Sequence, residues 1–130
     1  MEIVLYLLLG LALTWIVFMV YLWTASKSLQ GKKTDRLREL LPAVADYPEQ
    51  VLLYCFTPSC GPCRRMTPTI DEMIAAGEPI LKVDISQALD IAQELQVRAA
   101  PTLMLIRHDV IEQVEIGARS RDQLADMLAS

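Results

Sequence analysis

The sequence predicts an α/β protein carrying one N-terminal transmembrane helix. Three observations lead there. Residues Ile3 to Ser26 carry no charge, helix-period and strand-length apolar patterns alternate from Thr34 onward, and Cys60 and Cys63 stand two residues apart where the first strand gives way to a helix. Alternation of that kind layers helices on a sheet. With 130 residues, the chain has room for one domain of about 100 residues and a short appendage, but not for a second domain.

The appendage is residues 1–26. Its apolar stretch, Ile3 to Trp23, has 21 residues, which at about 1.5 Å each cover the roughly 30 Å hydrocarbon layer. Tyr6 near one end and Tyr21 and Trp23 at the other suit interfacial positions, while Trp15 falls mid-span. A cleaved signal peptide would have a basic start, about 7 to 15 apolar residues and a small-x-small cleavage site. Here Glu2 opens a longer stretch, so a retained anchor is expected.

Lys27, Lys32, Lys33, Arg36 and Arg38 follow the span and no Lys or Arg precedes it. That bias predicts the domain on the cytoplasmic side; the expected setting is a single span in a bacterial inner membrane, with a periplasmic domain as the alternative. The cluster could also meet anionic lipid head groups, at about 1 kcal/mol per basic residue, although a stop-transfer role accounts for it alone. Residues 27–35 read as a basic juxtamembrane linker and 36–130 as the domain. From residue 39 onward seven basic residues face fourteen acidic ones, which argues against nucleic acid as a partner.

In the domain, Thr34 is placed to cap a helix through Leu37, Leu40, Leu41 and Val44 that ends near Pro48. Val51 to Phe56 is a continuous apolar run of strand length. A turn at Thr57-Pro58-Ser59 precedes a helix that starts at the cysteines and runs through Met66, Ile70, Met73 and Ile74 to Gly77, with Pro68 predicting a kink. Ile80 to Asp84 is a second strand, and Ser86 is placed to cap a helix through Ile91 and Leu95. Thr102 to Arg107 and Val110 to Ile116 form a hairpin around His108-Asp109. Ser120 caps a last helix that buries Leu124, Met127 and Leu128.

The chemistry sits at the first strand-to-helix junction. A helix start supplies unfilled N–H groups and the positive dipole end, which lower a thiol pKa below its free value of about 8.5. Cys60 is therefore the expected nucleophile. Cys63, one turn on, is placed to attack the mixed disulfide between Cys60 and a substrate. Gly61 allows a partner close approach, and Pro62 stiffens the helix start without removing a needed donor.

The run Cys60-Gly61-Pro62-Cys63 is identical to the motif of the thioredoxin family, which the chain resembles over roughly residues 36–130. Pro68 matches the family's helix-kinking proline and Val97 to Leu103 resembles its cis-proline segment; Lys82-Val83-Asp84 and Gly117-Ala118 match positions in later strands. The resemblance implies a thioredoxin fold, here a mixed four-stranded sheet flanked by helices, because the family's first strand has no counterpart. It implies that Pro101 is cis and faces Cys60, with the backbone of Ala100 pairing to an extended substrate segment. Two positions depart from the family. Ser59 replaces the tryptophan before the first cysteine and alters the docking face. Tyr54 replaces the buried aspartate beneath the second, and with a pKa near 10 is a poor proton acceptor.

Cys55, inside an apolar strand, is expected to be a buried inert thiol and His108 a solvated turn residue, so no metal centre is expected. Arg64 and Arg65 are solvated helix residues that could still favour the Cys60 thiolate; Arg64 stands where the family commonly has a lysine, and with Tyr54 and Lys82 is a candidate modulator. The expected function is a membrane-tethered thiol-disulfide oxidoreductase that reduces or exchanges protein disulfides. It needs no cofactor beyond the Cys60–Cys63 dithiol and takes electrons from a thiol donor. The alternatives are a non-catalytic docking subunit and an extracytoplasmic reductase for cytochrome or envelope-protein assembly.

Overall fold

The computed structural model describes residues 1–27 and 30–130. Ser28 and Leu29 of the juxtamembrane stretch lie outside the described residues, as do the side chains of Leu22, Trp23, Ala25, Ser26 and Lys27. The apolar stretch forms one helix, α1 (Glu2–Lys27). Its segment Glu2–Tyr21 is long and apolar enough to cross a membrane, and none of it is buried against the rest of the chain.

The domain is built on four strands, β1 (Gln50–Phe56), β2 (Ile80–Asp84), β3 (Thr102–Arg107) and β4 (Val110–Ile116), in the order β2-β1-β3-β4. Strand β2 runs parallel to β1, while β3 is antiparallel to both β1 and β4. Both faces of the sheet are covered, which explains why β1 reads as an unbroken apolar run. Leu52 and Tyr54 point to a core that includes Met66, Ile70 and Met73 of α3 (Gly61–Ala75) and Leu124 and Met127 of α5 (Arg121–Ala129). Val51, Leu53 and Cys55 point to the other, with Leu37, Val44, Ile91 and Leu95.

The hairpin turn matches its sequence signal. His108 and Asp109 both take positive φ, 47° and 63°, as the two central residues of a twist-matched two-residue turn must. Ser120 caps α5 in a reciprocal capping box with Gln123. Gly77, at φ 90°, occupies the left-handed position that ends α3.

Two caps differ from expectation. Thr34 starts no helix: its N–H and hydroxyl both donate to the Asp109 carbonyl, at 2.8 and 3.0 Å. The expected single helix is instead a short α2 (Leu37–Leu40) followed by a 3-10 turn over Pro42–Asp46. Pro42 explains the break, because it lacks an N–H and excludes helical geometry from the residue before it; Leu41 takes φ −132°, ψ 80°. Ser86 likewise caps nothing. Its N–H and hydroxyl bind Asp84 Oδ1 in a tight turn, and α4 (Leu89–Glu94) begins at Ala88 without a side-chain cap.

The juxtamembrane stretch is bound to the sheet where it is described. Gly31 N–H donates to the Ile111 carbonyl at 2.7 Å, Ile111 N–H donates to the Lys32 carbonyl at 3.1 Å, and Lys33 forms an antiparallel bridge to Val110.

Candidate active site

The site is built where β1 ends. After Phe56 the chain turns through Thr57 to Ser59, and Cys60 takes extended geometry (φ −76°, ψ 116°) as the N-cap of α3. Its sulfur accepts from the Cys63 N–H at 3.2 Å, the contact a capping oxygen makes elsewhere. Gly61 and Pro62 occupy the first turn, where a proline costs no hydrogen bond. Cys60 and Cys63 are joined in a disulfide, with Cα atoms 5.2 Å apart. The two sulfurs differ in access: Cys60 is half-buried, whereas Cys63 is 1% exposed. A reacting sulfur approaching from solvent therefore meets Cys60 first.

Ala100–Pro101 is a cis peptide, as the resemblance implied. Pro101 is buried and Ala100 half-buried, and both Cys60 and Ala100 pack against the core cluster that includes Tyr54 and Cys63. The loop is held by Thr102 Oγ1 donating to the Ala99 carbonyl at 2.7 Å and Gly117 N–H donating to the Pro101 carbonyl at 2.9 Å. Ser59, Gly61 and Pro62 are exposed around Cys60. A Cβ on Gly61 would meet nothing within 4 Å, so the space beside it is open to a partner.

Tyr54 lies beneath the second cysteine and is fully buried. Its hydroxyl donates to the Cys63 carbonyl at 3.0 Å and lies 3.1 Å from Thr67 Oγ1, which itself donates to that carbonyl at 2.8 Å. Burial raises the Tyr54 pKa above its ordinary value; the Thr67 hydrogen bond and the Lys82 charge oppose the shift and the Asp71 charge adds to it. The phenol therefore stays neutral at physiological pH and cannot accept a proton from Cys63. Lys82 stands opposite Tyr54 in the sheet, but its ammonium is held by Asp71 Oδ1 at 2.6 Å. Arg64 turns back instead of pointing at Cys60, donating from Nε to the Pro58 carbonyl at 3.1 Å, which staples the turn before the nucleophile.

Sequence reading missed Thr67 and Asp71. The spacing Cys63, Thr67, Asp71, four residues apart on a predicted helix, was the available signal, since such residues share a face. Together with Arg64 and Pro58 they line a cleft of about 370 Å³ beside the disulfide. Cys55 faces the opposite core, and burial pushes its thiol up to about 12. Among the described residues no group of three or more His, Cys, Asp or Glu is placed to hold a metal.

Comparison with known proteins agrees with this geometry. The family profile described as thioredoxin matches residues 33–130. Thioredoxin from Haemophilus influenzae is 31% identical over 81 residues, which is 60% of this chain and 76% of that protein. Thioredoxin from Pseudomonas aeruginosa is 38% identical over 72 residues, 53% of this chain and 67% of that protein. Among solved structures, a thioredoxin of Nicotiana alata superposes with a TM-score of 0.61 at 26% identity, covering 74% of this chain and 84% of that one.

Proposed function

The chain belongs to the thioredoxin family, whose members are thiol-disulfide oxidoreductases working through a redox-active disulfide without a cofactor, and from that premise we propose a membrane-tethered enzyme that reduces or exchanges protein disulfides through Cys60 and Cys63. The observation carrying the proposal is the unequal access of two bonded cysteines at one helix N-terminus.

In the reduced enzyme the α3 N-terminus stabilises the Cys60 thiolate. That thiolate attacks one sulfur of a substrate disulfide, the S–S bond breaks, and the second substrate sulfur leaves as a thiolate. Cys63, once deprotonated, attacks Cys60 Sγ, the mixed disulfide breaks, and the first substrate sulfur leaves carrying the electron pair. The substrate has gained two electrons and the enzyme ends with the Cys60–Cys63 bond; a thiol donor returns the two electrons by the reverse sequence. Ser59, Gly61 and Pro62 form the open approach to Cys60, and the Ala100–Pro101 backbone is the rest for an extended substrate segment.

Helix α1 is the anchor in this reading. Its length, apolar composition and lack of burial support a span, and the basic residues after it favour a cytoplasmic domain; the membrane in this reading is a bacterial inner membrane. Two measurements test the proposal. Full-length protein in detergent should reduce insulin, and Cys60→Ser should not; equal rates would eliminate Cys60 as nucleophile. Cys63→Ala should accumulate mixed disulfides in cells, and their absence would refute the two-step exchange.

A further inference from the structure

We propose that residues 31–38 are a docked strap that fixes the catalytic domain at a set height over the bilayer, so that its substrates are disulfides carried at that height by other membrane-bound proteins. This rests on the tethered reading of α1.

A flexible tether would be a polar segment making few contacts, and residues 31–38 are the opposite. The backbone of Gly31 to Thr34 pairs with Asp109, Val110 and Ile111, along the start of β4. Thr34 is 2% exposed and Leu37 fully buried. The charges are engaged too: Lys32 Nζ donates to the Glu94 carbonyl at 2.8 Å and lies 3.7 Å from its carboxylate, which Arg36 also approaches at 3.9 Å. Arg38 Nε binds Asp109 Oδ1 at 2.7 Å. Lys32, Arg36 and Arg38 thus face acids of the domain.

Chain length then limits the slack. From Lys27, the end of α1, to Gly31 there are four residue steps, at most about 14 Å of fully extended chain. The helix from Tyr21 to Lys27 adds about 9 Å. A domain held so closely cannot sweep a large volume. Confinement to the same membrane raises effective concentration only for a partner whose disulfide meets Cys60 at the height the strap allows, and is lost where geometry forbids engagement.

The test uses full-length protein in phospholipid vesicles. The probe is a fluorogenic disulfide peptide carried on a synthetic single-span anchor through polyproline spacers of graded length, each proline adding about 3.1 Å. The native chain should reduce the best-matched probe at least roughly tenfold faster than the worst-matched. Insertion of twelve Gly/Ser residues after Lys27, which adds a coil of about 19 Å, should flatten that profile while soluble insulin is reduced as before. Thr34→Ala with Arg38→Ala, which loosens the strap, should shift the profile the same way. A flat profile in a vesicle-bound native chain would overturn the height rule and leave the tether standing. A native chain that reduces insulin yet does not float with the vesicles would overturn the tether, and the height rule with it.

Discussion

Replacing Tyr54 with Phe removes one buried hydroxyl and little else. The phenyl ring left in its place would keep the stacking on Phe56, whose centroid lies 5.4 Å away, and the Cys63 carbonyl would still receive the Thr67 hydroxyl at 2.8 Å. No acceptor is orphaned, so the cost is that of one intramolecular hydrogen bond, about 1 kcal/mol, rather than the larger penalty of an unsatisfied buried group. For a domain of this size that lowers Tm by about 4–8 °C. The pH dependence carries a sign. Burial raises the Tyr54 pKa above 10, so the stability tied to its neutral form is fully present below the unfolded value of about 10 and is lost as pH rises through the folded one. The stability difference between the native protein and Tyr54→Phe, measured by urea unfolding, should therefore be constant from pH 6 to 9 and shrink above pH 10. The pH-rate profile of insulin reduction below pH 9 should be the same in both proteins, because Tyr54 takes no proton there. An ionisation between pH 6 and 9 that disappears in Tyr54→Phe would refute the neutral-phenol account; a loss above about 3 kcal/mol would refute the single-hydrogen-bond account.

Two further substitutions probe the scaffold. Ser120→Ala removes the capping hydroxyl of α5 and with it the reciprocal capping box, and should cost about 1 kcal/mol in urea unfolding with an unchanged slope. His108→Val puts a β-branched residue at φ 47° and should cost about 1–2 kcal/mol, while His108→Asn, at ease in that region, should be neutral or slightly stabilising; equal stability of the two variants would mean that the turn geometry is wrong.

Local chemistry was legible in the sequence wherever a residue's partner lies within a few positions. Cys60 as a helix start, Ser120 with Gln123, and His108-Asp109 between two apolar runs each announce a structure closed by neighbours. Thr34 reads as a cap because its competing partner, the Asp109 carbonyl, lies 75 positions on, and from sequence a capping residue looks the same as a side chain that bonds a distant strand. Ser86 is held instead in a turn by Asp84, two residues upstream, because turn and cap chemistry draw on the same residue types. Pro42 is the sequence signal that divides the first helix. Arg64 reads as a neighbour of the site, but its bond to the Pro58 carbonyl depends on how the turn folds back, which no spacing rule conveys.

The parity of β1 has a practical consequence. Tyr54 and Cys55 are adjacent in sequence but face opposite cores, one beneath the disulfide and the other across the sheet. For Cys55 to reach Cys60 or Cys63, β1 would have to slip by one residue, which would exchange every side chain between the two faces. Disulfide scrambling within the native fold is thereby closed off by geometry, and a Cys55 adduct can form only in a molecule that has opened. The third cysteine thus serves as a built-in clock: its rate of labelling in the oxidised protein counts openings of the sheet, independently of how fast the active-site pair turns over.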